Sequence, residues 1–256
     1  MGHEYCGIVE GVGRTVRSIK PGQLVIGSFF ASDNSCPHCQ VGYQSSCPHR
    51  ALVGGAQAPL LRVPLADGTL VATRDVPAQE MIPSLLALSD VMGTGWFAAD
   101  AANVKPGVTV AVVGDGAVGL LGVLSAKQMG AERIIAMSRH ATRQTLAREF
   151  RATDIVTDRG DDGVGRIKEL TRGVGADAVL ECVGTQESMM QAIRGAARRV
   201  DWLRRRPAWC RAAGRRIVLL ARPPAWRTSA GTWIPAPADR PGGERRDQDA
   251  AASVTR

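Results

Sequence analysis

The sequence predicts an α/β fold in two textures, and three observations carry that expectation. Residues 1–80 alternate short apolar runs with turn signals, the pattern of many short strands. Residues 81–194 switch to strands alternating with helices, the mark of a parallel sheet with crossover helices. At a strand-to-helix junction of that second region stands a glycine-rich turn, Gly114-Asp115-Gly116-Ala117-Val118-Gly119.

Taken in order, Gly7-Ile8-Val9-Glu10 and residues 23–26 read as strands, with turns at Pro21-Gly22, Gly54-Gly55 and Asp67-Gly68. Residues 109–113 form an unbroken apolar strand, and residues 118–129 a helix that Gly130 closes. Strands follow at 133–137, 154–156 and 176–181, with helices over 143–150 and 164–170 between them. Arg151 stands where the end of a helix favours glycine. Residues 186–193 start one more helix, and there the alternation stops.

From Gly195 onward the composition changes. Residues 195–256 hold 14 Arg, no Lys and five acidic residues, a balance of +9, so the chain's net +8 leaves −1 for residues 1–194. Basicity that would suggest a nucleic-acid partner therefore belongs to one segment and not to the body. The preferred account is that this segment is read in a shifted frame. From the second base of its codon Trp always yields Gly, and Ala196 to Trp209 can then encode a run ending in GYVGVPHG, a turn and a fifth strand. The alternative is a basic tail that binds RNA or a membrane, with Trp202 and Trp209 interleaved among its arginines. Residues 195–256 are thus expected to be non-native or disordered. No apolar run approaches the roughly 20 residues of a membrane span. The amino end shows no basic segment followed by an apolar one, so a cytoplasmic location is expected.

The glycine turn follows a strand and opens a helix, the context in which G-x-G-x-x-G binds a dinucleotide. Gly114 permits the turn, Gly116 lets a pyrophosphate approach the backbone, and Gly119 allows close packing of helix and strand. Ala117 and Val118 complete the start of the helix, whose amino end faces the phosphates. Nineteen residues beyond Gly119, where an acidic residue would hold the ribose hydroxyls, stands Ser138, followed by Arg139 and Arg143. A hydroxyl with guanidinium groups suits a 2′-phosphate, so NADP is expected in preference to NAD. Three of the six cysteines cluster at Cys36, Cys39 and Cys47, which reads as metal binding before disulfides. Cys6, Cys182 and Cys210 lack partners at ligand spacing and read as small core or surface residues.

Four stretches together resemble the zinc-containing medium-chain alcohol dehydrogenases, over about residues 1–194. Gly2-His3-Glu4 with Gly7, Val9 and Gly13 resembles that family's G-H-E-x-x-G-x-V-x-x-x-G stretch. Residues 88–95 resemble its segment with a further zinc ligand, here Asp90, and with Thr94 beside the nicotinamide. Asp33-x2-Cys36-x2-Cys39-x7-Cys47 resembles its C-x2-C-x2-C-x7-C structural-zinc lobe with the first thiolate replaced. The dinucleotide turn, in the same chain order, is the fourth.

The resemblance implies an incomplete Rossmann-like dinucleotide-binding domain over 81–194 and a partial GroES-like β-rich catalytic domain over 1–80. It further implies catalytic zinc on His3 and Asp90 with Glu4 beside it. A structural zinc would sit on Asp33, Cys36, Cys39 and Cys47; His38 is an alternative fourth ligand, and a lobe without zinc is the third possibility. The substrate implied is a small alcohol, or the matching aldehyde or ketone. In relatives a third catalytic ligand lies on a segment ahead of His3, so two ligands are expected to hold that zinc poorly, and an inactive remnant of the enzyme is the alternative. The oligomeric state is not implied, because relatives associate through late strands of the dinucleotide domain.

Overall fold

A computed structural model describes residues 1–197, 217–219 and 252–255. In chain order its elements are β1 (Tyr5–Val12), β2 (Leu24–Gly27), β3 (Phe30–Ala31), α1 (Pro37–Gln40), β4 (Ala51–Leu52), β5 (Leu60–Val63), α2 (Ala66–Thr69), β6 (Leu70–Ala72) and α3 (Ile82–Ala87). They continue as α4 (Val91–Ala101), β7 (Thr109–Val113), α5 (Ala117–Gln128), β8 (Arg133–Met137), α6 (Ala141–Glu149), β9 (Asp154–Val156), α7 (Gly160–Leu170), β10 (Ala178–Glu181), α8 (Gln186–Gly195), β11 (Ile217–Leu219) and β12 (Ala252–Thr255). Two compact units result, one of Met1–Asp90 with the C-terminal strand, the other beginning at Val91. The 3₁₀ turn and α3 (residues 79–87) stay with the β-rich unit.

In the first unit the strands form an antiparallel sheet of order β5-β12-β1-β2-β6. Its core gathers Tyr5, Val9, Val25, Leu61, Val63, Ala252 and Val254. Tyr5 lies opposite Gly27 across the β1–β2 pair, and its ring fills the space a side chain there would need: a Cβ on Gly27 would fall 2.1 Å from the Tyr5 hydroxyl. That fit fixes β1 immediately after His3 and Glu4.

In the second unit the sheet is parallel, in the order β9-β8-β7-β10-β11. Both faces are covered, so its strands read as continuous apolar runs. The period of two divides them: Val110, Val112, Ile134 and Leu180 join one core with Ala98, Ala99 and Val123, while Ala111, Val113, Ile135 and Val179 join another with Ile167 and Ala192. Arg151 takes φ +77 after α6, as the sequence predicted, and Ala152 N–H closes the cap on Ala147 O at 2.8 Å.

Two short stretches beyond residue 197 are among the described residues. Ile217–Leu219 adds a fifth parallel strand beside β10. Ala252–Thr255 pairs antiparallel with both β1 and β5, and Ala252 and Val254 join the core of that sheet. The shifted frame itself, Cys210 and the aromatic interleaving of the basic tail lie outside the described residues. No helix among the described residues is long and apolar enough to cross a membrane.

Candidate dinucleotide and metal sites

The glycine turn has the shape its sequence demands. Gly114 takes φ +115, which an L side chain resists, and a Cβ there would stand 2.8 Å from Val183 Cγ2. A Cβ on Gly119 would lie 2.1 Å from the Gly114 carbonyl oxygen, so only hydrogen lets the first turn of α5 rest on the exit of β7. Gly116 caps α5 without a side-chain bond, and a Cβ there would meet nothing within 4 Å. Gly116 and Ala117 are exposed at the start of α5, the end of a helix that receives phosphate.

This turn borders a cavity of about 490 Å³ at the carboxyl ends of β7, β8 and β10. The size lies within the roughly 300–1,000 Å³ of small-molecule sites. The place is the point where strand order reverses, with β8 on one side of β7 and β10 on the other. Glu181, fully buried at the end of β10, accepts from Val183 N (2.9 Å), Gly184 N (3.0 Å) and Ser188 Oγ (2.7 Å) and so fixes the wall around Cys182. Burial, reinforced by the Glu181 charge, pushes the Cys182 thiol up to about 12, which suits a wall residue and not a nucleophile.

The residues expected at a 2′-phosphate are placed differently from one another. Arg139 and Arg143 line the cavity, and Arg159 joins them. Ser138 is buried, and its hydroxyl donates to Asp115 Oδ2 at 2.7 Å. Arg143 Nη1 donates to Asp115 Oδ1 at 3.0 Å. Burial works against charge on Asp115, but the bonds from Ser138 and Arg143 and the positive charge nearby outweigh it and hold the carboxyl below its usual range. Sequence reasoning saw Asp115 only as a variable position between two glycines. Arg159 starts α7 with no motif to announce it.

In the β-rich unit, Asp33, Cys36, Cys39 and Cys47 bring one ligand atom each within 4.8 Å of one another. Cys36 Sγ and Cys47 Sγ are 3.9 Å apart. Zn–S bonds of about 2.3 Å in a tetrahedron hold sulfurs roughly 3.8 Å apart, so the donor set fits zinc. His38 is exposed and stands outside the group. Asp33 Oδ1 accepts from Cys36 N (3.0 Å) and Ser35 N (2.9 Å), while Oδ2 meets His49 Nδ1. The two backbone amides, with His49, hold the Asp33 carboxyl far below its usual range. Burial and the neighbouring thiols push Cys39 up to about 12, the state that a bound cation would reverse. His49 was missed because it lies beyond the last cysteine, at no family spacing.

His3 and Asp90, 87 positions apart in sequence, meet with Nε2 and Oδ2 at 2.8 Å. The edge of Phe29 packs on the His3 ring at 5.3 Å between centroids. A shared tetrahedral zinc would set such N and O donors roughly 3.3 Å apart, so a small opening admits the ion. Among the described residues no third ligand-type group joins this pair, and Glu4, expected beside the ion, stays outside it. Thr94 lies in the first turn of α4, outside the cavity lining among the described residues.

Comparison with known proteins places the two units separately. Residues 1–84 match the alcohol dehydrogenase GroES-like domain, and residues 117–199 match the zinc-binding dehydrogenase family. The chain is 34% identical to zinc-type alcohol dehydrogenase B of Aspergillus flavus over 74% of its own length and 46% of that relative. It is 33% identical to the medium chain reductase/dehydrogenase ucsI of an Acremonium species, covering 75% of this chain and 69% of that one. A zinc-binding dehydrogenase of Sinorhizobium meliloti, solved bound to NADP, is 30% identical with a TM-score of 0.64, over 77% of this chain and 58% of that one. The chain spans about half the length of the Aspergillus relative and of a probable zinc-binding alcohol dehydrogenase of Mycobacterium tuberculosis.

Proposed function

The chain belongs to the zinc-dependent medium-chain alcohol dehydrogenase family, and from that premise we propose that it transfers hydride between a small alcohol and a nicotinamide dinucleotide, NADP in preference to NAD. The alcohol is primary or secondary, and the reverse reaction takes the matching aldehyde or ketone. One observation carries the reading: a glycine turn of dinucleotide-binding shape opens onto a cavity walled by Arg139, Arg143 and Arg159. Ser138, in place of an acidic residue, and the NADP bound to the Sinorhizobium relative support the choice of cofactor.

Gly114 and Gly116 admit the pyrophosphate to the backbone, and the amino end of α5, Ala117 to Gly119, meets its charge. Arg139 and Arg143 face the adenosine end, and Thr94 stands for the nicotinamide end. His3 through Nε2 and Asp90 through a carboxylate oxygen would hold the catalytic zinc, with Glu4 next to His3 in the chain. Phe29 fixes the imidazole plane. Asp33, Cys36, Cys39 and Cys47 would hold the structural zinc. Bound zinc supplies Lewis acidity, which polarises the alcohol oxygen and lowers its pKa.

A second reading, a dinucleotide-binding relative without turnover, is favoured by His3 and Asp90 meeting with no third ligand-type group among the described residues, where three protein ligands are usual. Zinc-supplemented full chain, NADP and a panel of primary and secondary alcohols separate the two, with His3→Ala and Asp90→Ala as controls. Alcohol-dependent reduction of NADP that either substitution abolishes supports the enzyme. Wild-type rates equal to those of the variants, with dinucleotide still bound, establish the second reading.

A further inference from the structure

The acidic group missing from the end of β8 has reappeared inside the glycine turn. Asp115 follows Gly114, and its two carboxylate oxygens take one bond each from Ser138 and Arg143, the same groups that suit a 2′-phosphate. The Ser138 hydroxyl has a single proton, and that proton points at Asp115 Oδ2; toward a phosphate the oxygen can only accept, which a dianion does not need. Arg143 keeps further N–H donors, but its guanidinium is ion-paired with Asp115, whose side chain is 10% exposed. Asp115 also lines the cavity, so its negative charge faces whatever enters there.

We propose that Asp115 is a specificity-determining residue that weakens binding of a 2′-phosphate by competing for Arg143 and Ser138, and so narrows the preference for NADP over NAD. The inference rests on the proposed dinucleotide site. Arg139 and Arg159 line the same cavity and form no hydrogen bond or ion pair with Asp115, so they supply the attraction that Asp115 moderates.

The test uses full chain and two ligand fragments, 2′,5′-ADP and 5′-AMP, titrated by calorimetry against wild type and Asp115→Asn. The asparagine keeps the shape, removes the charge, and leaves an oxygen able to accept one of the two bonds. The expected result is binding of 2′,5′-ADP tighter by about tenfold, with 5′-AMP changed by less than about twofold. In an Arg143→Ala background the same substitution should bring no such gain, which a merely structural role for Asp115 would not produce. Asp115→Ser, smaller and neutral, repeats the measurement should the asparagine variant not fold. A ratio of the two affinities that stays the same or falls on neutralising Asp115 overturns the proposal. The wild-type ratio answers a separate question: equal affinities there would overturn the NADP reading, while a rise in the variant's ratio would still support the role of Asp115.

Discussion

Two methyl groups, placed three residues apart, separate what the glycine turn does for the fold from what it does for a ligand. In Gly119→Ala the new Cβ would start 2.1 Å from the Gly114 carbonyl, where real Cβ contacts stay beyond 3.0 Å, so α5 must move off β7 by about 0.9 Å. The obstacle is backbone and cannot swing aside. Overpacking of this kind costs about 1–3 kcal/mol. With a urea slope of about 2 kcal/mol/M, the denaturation midpoint should fall by about 0.5–1.5 M. In Gly116→Ala the Cβ meets nothing within 4 Å and φ is −74, ordinary for an L residue, so the midpoint should stay within about 0.2 M of wild type. That methyl nevertheless stands over the amides a pyrophosphate must reach, and 5′-ADP should bind at least about tenfold more weakly. A Gly119→Ala midpoint equal to wild type, or unchanged 5′-ADP binding by Gly116→Ala, would refute the account of the turn.

Other parts of the structure make equally definite predictions. Arg151 sits at φ +77, so Arg151→Gly should raise stability by about 1 kcal/mol in the same denaturation assay, and a loss would mean the side chain has a role of its own. The Arg133 fork holds Asp154 with two bonds of 2.8 Å and keeps its carboxyl below the usual range. That stabilisation is present above the unfolded carboxylate's pKa of about 4 and is lost as pH falls through the lower folded value. Asp154→Asn should therefore lower stability at neutral pH and flatten the acid limb of the stability curve, with the two proteins converging in strong acid. Cobalt added to metal-free chain should give thiolate-to-metal absorption that Cys47→Ser weakens strongly. His49→Ala, by releasing the Asp33 carboxylate, should lower cobalt affinity by about 10- to 100-fold.

Much of this was legible in the sequence because it depends on local rules. The parallel strands buried on both faces announced themselves as apolar runs such as residues 109–113, and each βα junction carried its turn chemistry. The three cysteines of the metal lobe were legible from their clustering, while Asp33 needed the family resemblance. His3 and Asp90 needed the family resemblance, because nothing in a sequence says that residues 87 positions apart share a contact. Asp115 was hidden for the opposite reason. It was in plain view within a motif, but its partners Ser138 and Arg143 are brought to it only by the adjacency of β7 and β8. β11 and β12 were invisible because strand pairing recruits short segments by edge availability, not by periodicity.

The claim on which the rest depends is that this chain binds a nicotinamide dinucleotide at the turn around Gly116. Denaturation of the full chain with and without NADPH measures it directly. A ligand bound by the folded state alone, at about one hundred times its dissociation constant, stabilises by about 2.7 kcal/mol. The account predicts a shift of that size for wild type and a far smaller one for Gly116→Ala at the same NADPH concentration. A wild-type midpoint that stays fixed as NADPH rises into the millimolar range would contradict it.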